Sequence, residues 1–358
     1  MNRELIKLTD SVDARILIRA ANWVGDAIMT TPVVRAVRKN YPKAQITVLA
    51  KPWVIPVYEN NPYIDHIMVY ESNGRHKRGW GTFRLARDLQ DCRFDLAILM
   101  QNAFEAGLIA FLGKVKERLG YNTDARGFLL NRSIKMDPAL KKKHLIEYYI
   151  GILHGAGLKD DGRHMDLFWA QPDQQFAQNL LRQNRLDPSR PVIGINPGAT
   201  GGTAKQWFPE RYAQLCKQLA RQHQTRILIF GGPADVRLGD YISDLSDGCC
   251  IHIAGKTSLG QAFALIKKCD LFVTNDSGLM HAAAALNVNQ VAVIGSTDHI
   301  ATCAASERAV MVRVPVHCSP CLKDVCPADH ECMDRISVDM VMETCKSLLN
   351  QNYGKPEQ

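Results

Sequence analysis

The stretch "ILIRAANWVGDAIMTTPVVRAVRKNYP", residues 16–42, changes periodicity halfway along. Its apolar run, Ile16 to Ile18, reads as a strand buried on both faces and stops at Ala20-Ala21-Asn22-Trp23. After Gly25-Asp26 the apolar residues recur at helical spacing. Asp26 therefore stands where a strand hands over to a helix. A carboxylate there can cap the helix by accepting unpaired backbone N–H groups. It can equally serve as a base at the mouth of a binding site.

The same grammar repeats along the chain. Short Ile/Val/Leu-rich runs occur at 15–20, 45–50, 66–70 and 95–100, and again at 191–196, 225–231, 270–274, 290–295 and 309–314. Longer segments of helical period separate them. In "FPERYAQLCKQLARQH" the residues Tyr212, Leu215, Cys216, Leu219 and Ala220 share one face, with Pro209 near the start. Strand–helix alternation in both halves predicts an α/β protein with two doubly wound, Rossmann-like domains facing a central cleft. The polar, Pro-flanked stretch near 170–191, with a short helical insert, marks the boundary. The expected division is a first domain over 1–172, a linker over 173–190, a second domain over 191–336, and a closing helix and tail over 337–358.

Composition narrows the function classes. The 358 residues are 46% hydrophobic and 22% charged, which suits real cores and not disorder. No run reaches the ~18 apolar residues of a membrane span, and the N-terminus lacks a signal peptide's apolar core, so a cytoplasmic protein is expected. The net charge of +8 suits an anionic ligand or surface. Of 11 cysteines, Cys92, Cys216 and Cys269 sit in apolar or helical contexts and read as small hydrophobes.

Three strand ends in the second half carry chemistry. In "GINPGATGGTAKQWFPERY", 194–212, small residues after Asn196 let backbone N–H groups approach an anion, and Lys205 adds a charge; a plain flexible loop fits the same spacing. The order is not that of a Walker A loop. In "CDLFVTNDSGLMHAAAAL", 269–286, Asn275-Asp276-Ser277-Gly278 leads into a helix whose N-terminal amides suit a pyrophosphate, and His281 lies one turn on. Asp276 or Ser277 could instead simply cap that helix, with His281 packed inside. In "ILIFGGPADV", 227–236, Asp235 is either a ribose ligand or a helix cap.

Taken in order, "NWVGDAIMTTPVVRAV", "NPGATGGTAKQW", "FGGPAD" and "TNDSGLMHAAAAL" resemble the successive motifs of the ADP-heptose:lipopolysaccharide heptosyltransferases, glycosyltransferase family 9, over about residues 15–315. The Trp-Val-Gly-Asp loop points to the heptosyltransferase II branch. The resemblance implies a GT-B glycosyltransferase that takes the lipid-linked acceptor on its N-terminal domain and ADP-heptose on its C-terminal domain, inverting the anomeric centre. It gives Asp26 as the base. It carries over Lys205, Asp276, Ser277, Gly278, Leu279 and His281 as donor-site positions, with Thr200 as a phosphate contact and Asp235 as a ribose contact. No cofactor beyond the ADP-heptose donor is implied. The expected partner is the inner core of lipopolysaccharide, met at the cytoplasmic face of the inner membrane; nucleic acid is not expected. The nearest rivals are heptosyltransferase I or III, a relative using another nucleotide sugar, or a non-catalytic nucleotide-sugar-binding protein.

Two features fall outside those motifs. Residues 75–89, "RHKRGWGTFRLARDL", interleave Arg75, Lys77, Arg78, Arg84 and Arg87 with Trp80 and Phe83, which fits an anionic saccharide or membrane surface, or an ordinary solvated helix. Near the end, "HCSPCLKDVCPADHECM" spaces Cys318, Cys321, Cys326 and Cys332 as C-x2-C-x4-C-x5-C. Four thiolates could hold a structural zinc or an iron–sulfur cluster, but this is not the usual paired zinc-ribbon spacing; reduced thiols or a disulfide fit as well, and no catalytic metal is expected.

Overall fold

The computed structural model describes residues 14–353; the stretch before it, read above as lacking a signal peptide, and the tail 354–358 lie outside the described residues. The chain divides into one unit ending at Phe168 and a second beginning at Trp169.

In the first unit, the apolar runs become β1 (Arg15–Arg19), β2 (Gln45–Ala50), β3 (His66–Val69) and β4 (Leu96–Leu99), joined by α1 (Val24–Met29), α2 (Thr31–Asn40) and α3 (Trp80–Cys92). They are followed by α4 (Phe104–Leu112), β5 (Glu117–Tyr121), β6 (Arg132–Ile134) and α5 (Leu145–Gly155). The strands form one sheet, β3-β2-β1-β4-β5-β6, in which every neighbouring pair is parallel. Ile16, Ile18, Ile46, Val48, Leu96 and Ile98 are completely buried, as strands covered on both faces must be. β5 and β6 were not among the predicted strands. "ERLGY" and "RSI" carry charged and polar residues because they lie toward one edge of the sheet, where burial is partial.

The second unit opens with α6 (Gln171–Gln183). This helix occupies most of the stretch expected as a linker. It packs on a later helix of the same unit through the fully buried Ala177, while its polar residues face solvent. Its surface explains the polar composition; its packing assigns it to the second unit. Then follow β7 (Ile193–Asn196), α7 (Pro209–His223), β8 (Ile227–Ile229), α8 (Val236–Leu245), β9 (Cys250–His252), α9 (Leu259–Ile266), β10 (Leu271–Asn275), α10 (Gly278–Ala285), β11 (Gln290–Val293), β12 (Ala309–Val312), α11 (Glu331–Asp334) and α12 (Val338–Tyr353). The sheet order is β12-β11-β10-β7-β8-β9, again all parallel. Read from its own first strand, this is the same order as in the first unit. The face predicted for α7 is buried throughout, at Tyr212, Leu215, Cys216, Leu219 and Ala220, and Pro209 is its first residue. The closing helix α12 packs on α7 and on β10, β11 and β12 of this unit.

In each sheet the strand order reverses between two central strands, β1 and β4 in the first unit and β7 and β10 in the second. Parallel sheets bind ligands at the carboxyl ends of the strands flanking such a reversal. The loops after β1 and β4, and after β7 and β10, are therefore where function is expected. No helix among the described residues is long and apolar enough to cross a membrane.

Candidate active site

The loop after β1 carries Asp26 into the first turn of α1. The N-cap of α1 is Trp23, in extended conformation and without a side-chain cap bond, so Asp26 stands beyond the cap position. Its Oδ1 accepts a hydrogen bond of 2.8 Å from the hydroxyl of Tyr149 on α5. Tyr149 is buried, and burial, reinforced by the negative charge of Asp26, holds its phenol pKa well above the ordinary tyrosine value. The phenol therefore stays protonated and remains a donor to the carboxylate. Tyr149 was invisible to sequence reading because 123 positions separate it from its partner. Thr30 steadies the end of α1: its hydroxyl bonds the Ala27 carbonyl at 2.7 Å and the buried Tyr58 hydroxyl at 2.9 Å.

In the second unit the loops after β7 and β10 are stitched together. Asn196, the last residue of β7, donates from Nδ2 to the Ser277 hydroxyl at 2.9 Å. Asn275, the last residue of β10, donates to the Pro197 carbonyl at 2.6 Å, while its Oδ1 accepts from the Trp207 amide at 3.1 Å and the Tyr212 hydroxyl at 3.0 Å. All four groups are buried, so each bond avoids a desolvation penalty of about 1–3 kcal/mol. Ser277 is the N-cap of α10 and accepts from the Met280 amide at 3.4 Å. Gly278 and Leu279 form the first turn and are half-buried; His281 is buried.

Asp276 is buried, accepts from the Thr302 hydroxyl at 3.1 Å, and lies 3.9 Å from the Lys205 ammonium, whose side chain stays 27% exposed. Lys205 and the helix end that carries Ser277 thus meet through Asp276. Thr200 lies exposed at the tip of the same loop. Asp235 fills the capping role: its Oδ2 accepts from the Gly232 amide at 2.8 Å. Its carboxylate also presses against Gly198, where an added Cβ would come within 2.3 Å of Oδ1. The three glycine-bearing strand ends of this unit therefore converge.

The cysteine-rich segment touches this loop, a link that sequence reading missed. The Asp324 carbonyl accepts from the Ala204 amide at 3.0 Å, and His330 Nε2 pairs with the Ala204 carbonyl at 3.0 Å. Gly202, at φ +119°, permits this approach, since a Cβ there would stand 2.0 Å from the Asp324 oxygen. Cys318, Cys321, Cys326 and Cys332 line one cavity of about 200 Å³, all as free thiols. Burial, aided by the three neighbouring thiols, pushes the Cys332 thiol up to about 11. Among the described residues no three His, Cys, Asp or Glu side chains are arranged to hold a metal ion.

Two doubly wound units of this strand order match the GT-B fold, and the chain's relatives make it a glycosyltransferase. Residues 82–331 match the family described as "Glycosyltransferase family 9 (heptosyltransferase)", and the chain belongs to that family. The chain is 31% identical to lipopolysaccharide heptosyltransferase 2 of Salmonella typhimurium, over 94% of its own length and 99% of that protein. Identity to the Escherichia coli K12 protein of the same name is also 31%, with the same coverage. The solved structure of E. coli ADP-heptose lps heptosyltransferase II superposes with a TM-score of 0.79 at 29% identity, covering 95% of this chain and 99% of that one.

Proposed function

We propose that this glycosyltransferase moves L-glycero-D-manno-heptose from ADP-heptose onto the inner core of lipopolysaccharide with inversion at the anomeric carbon, in the manner of a heptosyltransferase II. The observation that carries the reading is the match, over 99% of their length, to two lipopolysaccharide heptosyltransferase 2 proteins.

The second unit supplies the donor site. Lys205 and the backbone amides at the start of α10, around Ser277 and Gly278, face the diphosphate and stabilise the charge that grows on ADP as it departs. Leu279 and His281 shape the same helix end, Thr200 reaches a phosphate from the loop tip, and Asp235 contacts the ribose while bracing Gly198. Asp276 holds the Lys205 ammonium until the diphosphate takes it over, because a doubly charged phosphate group is the stronger partner. This chemistry calls for no further cofactor.

The first unit supplies the acceptor site and the base. Asp26 takes the proton from the acceptor hydroxyl as its oxygen attacks the anomeric carbon; the C–O bond to ADP breaks in the same displacement. Tyr149 fixes the carboxylate rotamer and, as a hydrogen-bond donor, favours its charged form. The acceptor is lipid-linked, so the protein works at the cytoplasmic face of the inner membrane.

Acceptor-dependent release of ADP from ADP-heptose, with the anomeric configuration of the product read by NMR, tests the whole reading. Release with a one-heptose core acceptor and an inverted product supports it. Release only with a heptose-free core redirects it to heptosyltransferase I, and a product of retained configuration removes Asp26 as a simple base.

A further inference from the structure

At the carboxyl ends of three neighbouring strands, β1, β2 and β3, the first unit places two cations and a tyrosine side by side. Arg19 is the last residue of β1, Lys51 follows β2, and Tyr70 follows β3. The Arg19 guanidinium carbon lies 5.1 Å from the centre of the Tyr70 ring, and the Lys51 ammonium lies 5.8 Å from the same ring and 5.1 Å from that of Trp53. Arg19 is only 3% exposed. It donates to the Ala20 carbonyl at 2.5 Å and to Asn22 Oδ1 at 2.9 Å, and its Nε is buried without a hydrogen-bond partner.

Neither cation forms an ion pair among the described residues; Glu105, which hydrogen-bonds Tyr70, is the one carboxylate whose field is felt by both. Burial pulls the Arg19 guanidinium down to about 10, and burial together with the Arg19 charge lowers Lys51. A buried arginine beside a half-buried lysine, with Glu105 the one carboxylate near both, leaves the basin a net positive charge that suits an anion from outside. Trp53 stays 44% exposed and forms an apolar wall beside Lys51.

This basin is tied to the catalytic loop. Asn22, which holds Arg19, receives the Trp53 indole N–H on its carbonyl at 2.7 Å, and its own amide donates to Gln101 Oε1 at 3.1 Å. Four residues further on the loop reaches Asp26. The Tyr58 phenol feels the charges of both Arg19 and Asp26, which places them in one neighbourhood.

The basic stretch at 75–89, the sequence-level candidate for the same task, is built differently. Arg75 is 60% exposed and already paired with Asp88 at 2.7 Å, and Lys77, Arg78, Arg84 and Arg87 project into solvent. Exposed cations of that kind are screened by salt and contribute little fixed geometry.

We propose that Arg19 and Lys51 form a subsite for a negatively charged group, a carboxylate or phosphate, on the acceptor saccharide. The half-buried Lys51 makes the contact; Arg19 is a positioning residue that holds the potential behind it and the Asn22–Asp26 loop beside it. The inference rests on the reading of the first unit as the acceptor unit.

The test is calorimetric titration of a lipid-free inner-core saccharide into the full chain, wild type and Lys51→Gln, without donor. The saccharide is used intact, with its carboxyl groups reduced to alcohols, and after phosphatase treatment. Lys51→Gln is expected to weaken the intact saccharide about tenfold or more, the size of a lost charge-assisted contact, with ADP affinity unchanged. The saccharide lacking the recognised group should bind wild type as weakly as the intact one binds Lys51→Gln, and lose nothing further in the variant. Whether carboxyl reduction or phosphatase treatment abolishes the difference identifies the group. Lys51→Arg should restore most of the affinity. Equal binding of the intact saccharide by wild type and Lys51→Gln, equal losses for charged and neutralised saccharides, or no binding to wild type overturns the proposal. Charge-dependent binding without heptose transfer would overturn the proposed activity and leave the subsite standing.

Discussion

The two units share a strand order and differ in almost everything that their switch-point loops carry. After β1 the first unit presents Asp26 fixed by Tyr149, with Arg19 and Lys51 alongside, neither in an ion pair among the described residues. After β7 and β10 the second presents Lys205, backbone amides and small residues, stitched by Asn196 and Asn275. Topology decides where a ligand sits; the side chains at those strand ends decide which ligand and which step. In the proposed reaction the carboxylate serves the hydroxyl that must lose its proton, and the lysine and helix end serve the diphosphate that must leave.

That division can be broken by substitution. Asp26→Asn removes the proposed base and leaves the second unit untouched, so turnover should fall by about 10²–10⁴, the usual worth of a general base, in a steady-state assay with saturating acceptor. Lys205→Ala should act on the other side, weakening ADP by roughly 10- to 150-fold in calorimetric titration, as loss of a charge-assisted phosphate contact does. Gly202→Ala forces a Cβ against the Asp324 carbonyl at a positive φ and adds strain of about 1–3 kcal/mol. It should lower Tm and raise KM for the donor while largely retaining kcat. An unchanged donor KM would show that the cysteine-rich segment does not hold the Lys205 loop.

The mildest effect is the most diagnostic of the first unit. Tyr149→Phe deletes a donor to the Asp26 carboxylate. Hydrogen bonds to the charged form lower a carboxyl pKa, so losing one raises it, and the acid limb of the kcat/KM profile should move to higher pH. Activity at alkaline pH should recover toward wild type. A uniform loss at every pH would make Tyr149 a packing residue only.

Much of this was legible in the sequence because the signals are local. Runs such as "DLAILM" can only be central strands, and glycine or small residues followed by Asp, Ser or Lys at a strand end mark the loops that later converge. The paired role of Asn196 and Asn275 was not legible, since their partners lie across the switch point. Strand β5 and the edge strands β6 and β9 stayed hidden because they are short or only partly buried and admit polar or charged residues. Helix α6 read as a linker because a helix with a single fully buried residue looks polar in sequence. Tyr149, Tyr70 and Lys51 were beyond reach for a different reason. Each belongs to the site only through a contact made across the fold, and neither composition nor spacing records it.

The division of labour is tested most directly by measuring two quantities on each of two variants: ADP affinity and acceptor-dependent turnover, for Asp26→Asn and Lys205→Ala. The expected result is a crossed pattern. Asp26→Asn should keep the wild-type ADP affinity and lose turnover, and Lys205→Ala should lose ADP affinity as its first defect. If Asp26→Asn turns over normally with acceptor saturating, or loses ADP as severely as Lys205→Ala does, the assignment of proton removal to the first unit and donor binding to the second is wrong.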